Sequence, residues 1–236
     1  MEIGTLSDIK LAVIGLGYVG LPLSVEFAKT RKVIGYDLDR TRIEQLSSGI
    51  DKTNEISAPE LQNLNNLFLT SEKKDLESCN CFIITVPTPI DANKVPDLSS
   101  LSLASETVAS LVSPGNIIIF ESTVYPGVTE DFCAPLIARN SSLEYSQKTM
   151  PKGSNVFYLG YSPERVNPGD KQRKLKDVVK VVSGSTDEVT AIINKLYESI
   201  ISAGTYVAES IRIAEAAKVI ENVQRDLNIA LINEFS

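Results

Sequence analysis

The chain has 236 residues, 43% hydrophobic and 22% charged, with a formal net charge of −7 and no histidine. Such a chain is a soluble globular protein with room for one large α/β domain and part of a second, not a disordered tail or a fibrous repeat. The acidic balance excludes non-specific nucleic-acid binding. The cysteines, Cys79, Cys81 and Cys133, have neither zinc-site nor disulfide-framework spacing, so no metal is expected and a reducing cytoplasm fits. No apolar run approaches the ~20 residues that span a bilayer, and the first residues lack a basic stretch followed by an apolar one, so neither export nor a membrane anchor is expected.

Apolar runs that read as strands alternate with segments of helical period, the pattern of βαβ units around a parallel sheet. In chain order, a strand at 10–14 leads through a glycine turn into a helix over 18–30, with Val19, Leu23 and Phe27 at helical spacing, and a second strand follows at 32–36. Compact apolar runs predict strands at 67–69, 81–86, 117–121, 156–161 and 178–182. Helices are predicted at 40–47, 98–112, 129–138 and 186–199, with Ser99 or a neighbour and Ser185 as N-caps. Polar stretches at 140–153 and 167–176 read as surface loops. Residues 210–236 predict one more helix, with Ile213, Ala217, Ile220 and Leu227 at roughly helical intervals; it ends without Gly or Pro and reads as cut within an element.

Gly15-Leu16-Gly17-Tyr18-Val19-Gly20 follows the first strand and opens a helix, the context in which a glycine triplet binds a dinucleotide. Gly15 permits the tight turn, Gly17 lets a pyrophosphate approach the backbone, and Gly20 lets the helix pack closely on the strand. The helix N-terminus supplies unpaired N–H groups and the positive end of a dipole. Asp37 closes the second strand about 20 residues on, where a carboxylate accepts hydrogen bonds from both ribose hydroxyls and repels a 2′-phosphate. NAD is therefore expected rather than NADP. Arg40 and Arg42, just past that strand, have two readings: a phosphate contact, or solvated residues at a helix start. The expected fold is a Rossmann-like, doubly wound, mostly parallel α/β sheet over residues 1–209, followed by the start of a long central helix over 210–236.

Three further runs, Thr85-Val86-Pro87-Thr88-Pro89, Glu121-Ser122-Thr123-Val124-Tyr125-Pro126-Gly127 and Tyr161-Ser162-Pro163-Glu164-Arg165, resemble the UDP-glucose/GDP-mannose dehydrogenase family in order and spacing. The resemblance continues through Ala216-Ala217-Lys218-Val219-Ile220-Glu221-Asn222 and covers essentially the whole chain. It implies oxidation of a sugar C6 alcohol to the carboxylate in two NAD-dependent steps, through an aldehyde and then a thioester on a cysteine. By the same resemblance, NAD contacts fall to Gly15, Gly17, Tyr18, Val19, Gly20, Asp37, Arg42, Thr85, Pro87, Thr88 and Thr123. Thr123 would orient a water or a substrate oxygen, Glu164 would act in the acid–base chemistry of thioester hydrolysis, and Lys218 with Asn222 would form an oxyanion hole. Substrate contacts fall to Glu164, Arg165, Lys218 and Asn222. Read alone, Lys218 and Asn222 fit a solvated helix face better than a site, Glu164 fits either a site or a turn cap, and Glu121 fits either a site or a structural carboxylate.

The chain departs from the family pattern in lacking the cysteine-bearing glycine-rich segment and the carboxy-terminal nucleotide-sugar domain. Cys79, Cys81 and Cys133 read as inert core thiols, so this polypeptide is expected to bind NAD without completing catalysis. The run Ser162-Pro163-Glu164-Arg165-Val166-Asn167-Pro168-Gly169 and the helix run Glu221-Asn222-Val223-Gln224-Arg225-Asp226-Leu227-Asn228 resemble the branch acting on UDP-N-acetylhexosamines, which supplies uronic acids for surface polysaccharide. UDP-glucose, GDP-mannose and, more distantly, hydroxyacid dehydrogenases are the alternatives within enzymes; a non-catalytic NAD-binding or oligomerisation module is the alternative outside them. The resemblance also implies a homodimer through the central helix, burying Ile220, Leu227 and Leu231.

Overall fold

The computed structural model describes residues 6–149, 151, 153–166 and 174–235. Lys152, Ser236, the first part of the loop expected at 167–176 and the Asn167-Pro168-Gly169 end of the sugar-branch run lie outside the described residues.

The strands are β1 (Leu11–Ile14), β2 (Val33–Tyr36), β3 (Leu67–Thr70), β4 (Cys81–Ile84), β5 (Ile117–Phe120), β6 (Glu144–Tyr145), β7 (Val156–Tyr161), β8 (Lys180–Gly184) and β9 (Thr205–Val207). The helices are α1 (Gly20–Ala28), α2 (Arg40–Ser47), α3 (Ala58–Gln62), α4 (Ser99–Ala109), α5 (Ala134–Ser141), α6 (Asp187–Glu198) and α7 (Ile211–Glu234). The sheet order is β3-β2-β1-β4-β5-β7-β8-β9, with β6 paired to β7; every pairing is parallel except β7 with β8.

β1, β4 and β5 are buried on both faces, which is why they read as unbroken apolar runs rather than alternating ones. On one face Leu11 and Val13 pack with Leu23 and Phe27 of α1 and Ile193, Leu196 and Tyr197 of α6. On the other, Ala12 and Ile14 pack with Leu101 and Val108 of α4, Ile137 of α5, and Ile211 and Ala214 of α7. The sheet is therefore doubly wound, as its alternating pattern predicts.

Register then places the site. Ile14 of β1 is level with Tyr36, Ile84 and, through β4, Phe120 and Tyr161. Gly15, Asp37, Thr85, Glu121 and Ser162 thus all leave the sheet at one edge. The strand order turns back on itself between β1 and β4, and in such sheets the crevice at that point is where ligands bind.

Several boundaries differ from expectation. α1 starts at Gly20, because the residues before it form the glycine turn. β4 ends at Ile84, where Thr85 turns its hydroxyl onto the carbonyls of Ile14 and Gly15 at the end of β1. The strand expected at 178–182 is Lys180–Gly184, since its partners are Gly160 and Tyr161 of β7. The segment expected as a helix at 129–138 begins as a π-helical turn, Val128–Cys133, and becomes regular only at α5, where Pro135 lacks the N–H a helix interior needs. Thr186, not Ser185, caps α6 by accepting from the Val189 N–H, and Asp97 accepts the Ser99 N–H at the start of α4 (2.9 Å). The stretch at 140–153 carries the end of α5 and β6. α3, β6 and β9 are short and partly exposed and left no periodic signal.

Candidate active site

The fingerprint turn is held from three sides. Gly15 has φ +94°, and its carbonyl accepts from Thr85 Oγ1 at 2.7 Å, a bond that ties the β1 turn to the end of β4. At Gly20 an added Cβ would lie 1.8 Å from that same Gly15 oxygen, so only glycine lets α1 start this close to the strand. At Gly17 an added Cβ would meet nothing within 4 Å. Gly17 faces an open cradle that the chain leaves empty.

Asp37 lies at the lip of this cradle. One carboxylate oxygen accepts from the Leu16 N–H (2.8 Å) and the other from the Asp39 N–H (3.0 Å), which fixes the carboxylate while leaving each oxygen a free lone pair. Arg42 corrects the solvated reading made from the sequence. It is buried, its Nε donates to the Leu16 carbonyl at 2.9 Å, and its Nη2 is 2.8 Å from Asp51. Asp51 also takes the N–H groups of Thr53, Glu55 and Ile56, and although burial opposes ionisation, the Thr53 hydroxyl, the Ile56 N–H, Arg42 and the Thr53 N–H hold its carboxyl below the ordinary value. Arg40 is the exposed member of the pair and reaches Glu72.

The two loops after β4 and β5 are joined. Ser122 Oγ donates to the Val86 carbonyl (2.6 Å) and Thr88 Oγ1 to the Thr123 carbonyl (2.5 Å). Thr123 itself is exposed, as are Pro87 and Tyr18, while Val19 and Thr88 are half-buried. The Thr123 loop is anchored to α7 by Glu215, a buried carboxylate that accepts from the N–H groups of Gly127 (2.6 Å) and Thr129 (2.9 Å). Burial pushes the Glu215 carboxyl above its ordinary value.

α7 brings the remaining candidates to the end of β7. Lys218 Nζ donates to the Glu164 main-chain carbonyl (2.5 Å), and Arg165 Nε pairs with Glu221 (2.7 Å). Burial lowers the Lys218 ammonium below its ordinary value. Asn222 is half-buried one helical turn beyond Lys218, on the same face. Glu164 does cap a turn: its Oε1 accepts from the N–H groups of Arg165 (2.7 Å) and Val166 (2.6 Å). Its Oε2, however, is 3.0 Å from Lys180 Nζ, which also holds Glu121 Oε2 at 2.8 Å. Sequence reasoning missed Lys180 and Tyr197. The signal available was a lysine inside the otherwise apolar run at 178–182.

The structure thus gathers the sequence candidates into two adjacent groups at one sheet edge. Gly15, Gly17, Gly20, Asp37 and Thr85 line the crevice; Glu164, Arg165, Lys218 and Asn222 cluster between β7 and α7. The NAD-binding domain of the UDP-glucose/GDP-mannose dehydrogenase family matches residues 9–201. The chain belongs to this family.

In this family member, NAD is the cofactor, and the chain's own residues fit it. The open space at Gly17 would admit a pyrophosphate, the start of α1 would offer N–H donors, and the fixed Asp37 carboxylate would accept from ribose hydroxyls. Curated relatives include the UDP-N-acetyl-D-glucosamine 6-dehydrogenases of Salmonella typhi and Pseudomonas aeruginosa, each 52% identical over 231 residues and matching 98% of this chain. Among solved structures, that of the UDP-D-ManNAc dehydrogenase from Pyrococcus horikoshii superposes with a TM-score of 0.83 at 36% identity, covering 95% of this chain and 52% of that one. The chain spans about half the length of the curated relatives it matches, 52% and 53% of those two. Among the described residues, no helix is long and apolar enough to cross a membrane and no His/Cys/Asp/Glu group would hold a metal ion.

Proposed function

We propose that this chain is the NAD-binding half of a UDP-N-acetylhexosamine 6-dehydrogenase, converting the sugar C6 alcohol to a uronic acid for surface polysaccharide. The observation that carries the reading is the bond within the second group: Lys218 on α7 donates to the Glu164 main-chain carbonyl just past β7, at the same sheet edge as the dinucleotide crevice. The 52% identity to two UDP-N-acetyl-D-glucosamine 6-dehydrogenases supports the choice of sugar over UDP-glucose or GDP-mannose.

NAD supplies the hydride acceptor for both oxidation steps. The chain's residues bind and orient. The N–H groups at the start of α1 and the Asp37 carboxylate hold the dinucleotide, with Tyr18, Val19, Thr85, Pro87 and Thr88 beside it, and Arg42 acts through the loop it braces. Thr123, whose carbonyl accepts from Thr88 in a loop that Glu215 anchors at Gly127 and Thr129, orients a water or a substrate oxygen. Lys218 and Asn222 stabilise charge developing on the C6 oxygen, a contribution of about 3 kcal/mol for a well-aimed donor. Glu164 accepts and returns a proton during hydrolysis, and Arg165 holds substrate. The buried Cys79, Cys81 and Cys133 do not supply the nucleophile. α7 reads as the start of a central helix on which two copies pair: Ile220, Leu227 and Leu231 are 66%, 63% and 54% exposed, too much apolar surface along one helix for solvent alone.

Calorimetric titration of the chain tests this reading. NAD should bind, NADP more weakly, and Asp37→Ala should weaken NAD by about tenfold, roughly 1.4 kcal/mol. The chain extended to the full length of its relatives should then oxidise UDP-N-acetylglucosamine or its epimer with two NAD reduced per sugar. NAD binding without oxidation of any nucleotide sugar by the extended protein would leave only a cofactor-binding module.

A further inference from the structure

Behind Glu164 lies a buried cluster of ionisable side chains. Because β8 runs antiparallel to β7, its first residue, Lys180, lies at the same sheet edge as the ends of the parallel strands. Its ammonium sits between Glu121 Oε2 at 2.8 Å and Glu164 Oε2 at 3.0 Å, and the side chains of Glu121, Lys180 and Glu164 are 0%, 3% and 13% exposed. The Tyr197 hydroxyl of α6 donates to the other oxygen of Glu121, and Lys180 Nζ lies 5.5 Å from the centroid of the Tyr197 ring. Exposure therefore rises along the series, from fully buried Tyr197 and Glu121 to Glu164 at the site.

Stability does not account for this arrangement. Burying three ionisable side chains in a doubly covered sheet is costly, and apolar residues of similar size at such positions are usually as stable or more so. Val181 and Val182, next along β8, are what the packing alone selects. Burial alone would lower the Lys180 ammonium, but Glu121 and Glu164 raise it above its ordinary value, so it stays charged. Burial pushes the Glu121 carboxyl up against the pull of Lys180. The outcome is a fixed cation whose position is set from behind, by Glu121 and Tyr197, and whose free side meets the one carboxylate that reaches the site. A local rule broken this way in a core strand is expected where function demands it.

We propose that Lys180 is a positioning residue for Glu164, aimed by Glu121 and Tyr197, and that this buried series fixes which face of the Glu164 carboxylate is turned to substrate. The catalytic consequence rests on the reading of Glu164 as the acid–base group. The two N–H bonds to Oε1 fix one oxygen only; rotation about the last side-chain bond is stopped by Lys180 on Oε2. Without it, the carboxylate is free to turn toward the Lys218 ammonium, whose bond to the Glu164 carbonyl keeps it close.

The test compares Lys180→Met, Lys180→Arg and Glu121→Gln in this chain. The readout is the carboxylate stretch of Glu164 in isotope-edited infrared spectra, assigned by its loss in Glu164→Gln, with NAD affinity as the control for folding. The expected result is a shifted and broadened Glu164 band in Lys180→Met and a smaller shift in Glu121→Gln. Lys180→Arg should restore a narrow band, because a guanidinium spans two carboxylates, and NAD affinity should stay within about twofold throughout. An unmoved band in folded Lys180→Met overturns the proposal. If that variant does not fold, an unmoved band in Glu121→Gln does so instead. In the protein extended to its relatives' length, Lys180→Met should lower kcat on the order of 100-fold, the scale of a lost acid–base group, with KM for NAD unchanged. A wild-type protein without nucleotide-sugar oxidation would sink the dehydrogenase reading while the infrared band still decides the role of Lys180.

Discussion

The Arg42 guanidinium donates to the carbonyl of Leu16 at 2.9 Å, and this bond orients the Leu16–Gly17 peptide of the fingerprint turn. In a trans peptide the C=O and the following N–H point in opposite directions. With the Leu16 oxygen drawn toward Arg42, the Gly17 N–H is turned the other way, toward the open cradle. Arg42→Met should therefore weaken NAD roughly tenfold, about 1.4 kcal/mol, without any contact to NAD being lost. It should also destabilise the fold by about 3 kcal/mol, because Asp51 stays buried without its cation. Calorimetry and denaturant melts read the two effects separately; an NAD affinity unchanged in a folded variant would show that the loop holds its shape alone.

The glycines of the turn separate structure from binding. Gly17→Ala adds a methyl where nothing lies within 4 Å, so the chain should melt within about 0.5 kcal/mol of wild type and lose NAD affinity by at least about tenfold. Gly20→Ala places its methyl 1.8 Å from the Gly15 oxygen and 2.3 Å from Thr85 Oγ1, neither of which can retreat without breaking the tie between β1 and β4. A loss of about 3 kcal/mol or more is expected. Equal melting of the two variants would contradict this division.

Much of the fold was legible because it is local. A buried parallel strand is an apolar run, a glycine triplet between strand and helix is a turn, and both can be read in a window of a few residues. Of the candidate site, the glycine turn and Asp37 were legible from their place at strand ends, while Thr85, Glu164, Lys218 and Asn222 entered only through the family resemblance. What escaped depends on pairing between distant segments. Arg42 looks solvated because its partners are a turn carbonyl and Asp51 in an irregular loop, neither of which has a periodic signature. Lys180 looks like an interruption in a strand until the antiparallel run of β8 sets it between Glu121 and Glu164. Tyr197 reads as one more apolar position on α6, and nothing in sequence says that its hydroxyl reaches Glu121.

Glu215 shows the same dependence on distance. It lies on α7 one turn before Lys218, yet its partners are the N–H groups of Gly127 and Thr129 in the loop after β5. One carboxylate thus sets the spacing between the Thr123 loop and the Lys218 face. Glu215→Ala leaves two buried donors unpaired, for a loss of roughly 3 kcal/mol at about 1–3 kcal/mol each. Glu215→Gln should recover part of this, since an amide offers an acceptor to one N–H only. Amide exchange at Gly127 and Thr129 is the specific check: faster exchange confined to these two positions supports the role, and unchanged protection rules it out.

The thiols give the chain a pH dependence with a defined sign. Burial pushes the Cys79 thiol up to about 11, and those of Cys81 and Cys133 up to about 12. The unfolded chain, whose thiols are solvated, ionises them near the ordinary value of about 8.5. Above that pH the folded state holds more protons than the unfolded one, so stability falls as pH rises. Below it both states are protonated and these groups contribute no slope. Denaturant melts should therefore show a steepening loss between pH 9 and pH 11, reduced in Cys81→Ala after correction for the cavity it leaves. In the same range iodoacetamide should modify the thiols only at the rate of global opening. Rapid alkylation of any of the three in the native chain at pH 8 would mean that a thiolate is accessible, and that the exclusion of these cysteines as nucleophiles is wrong.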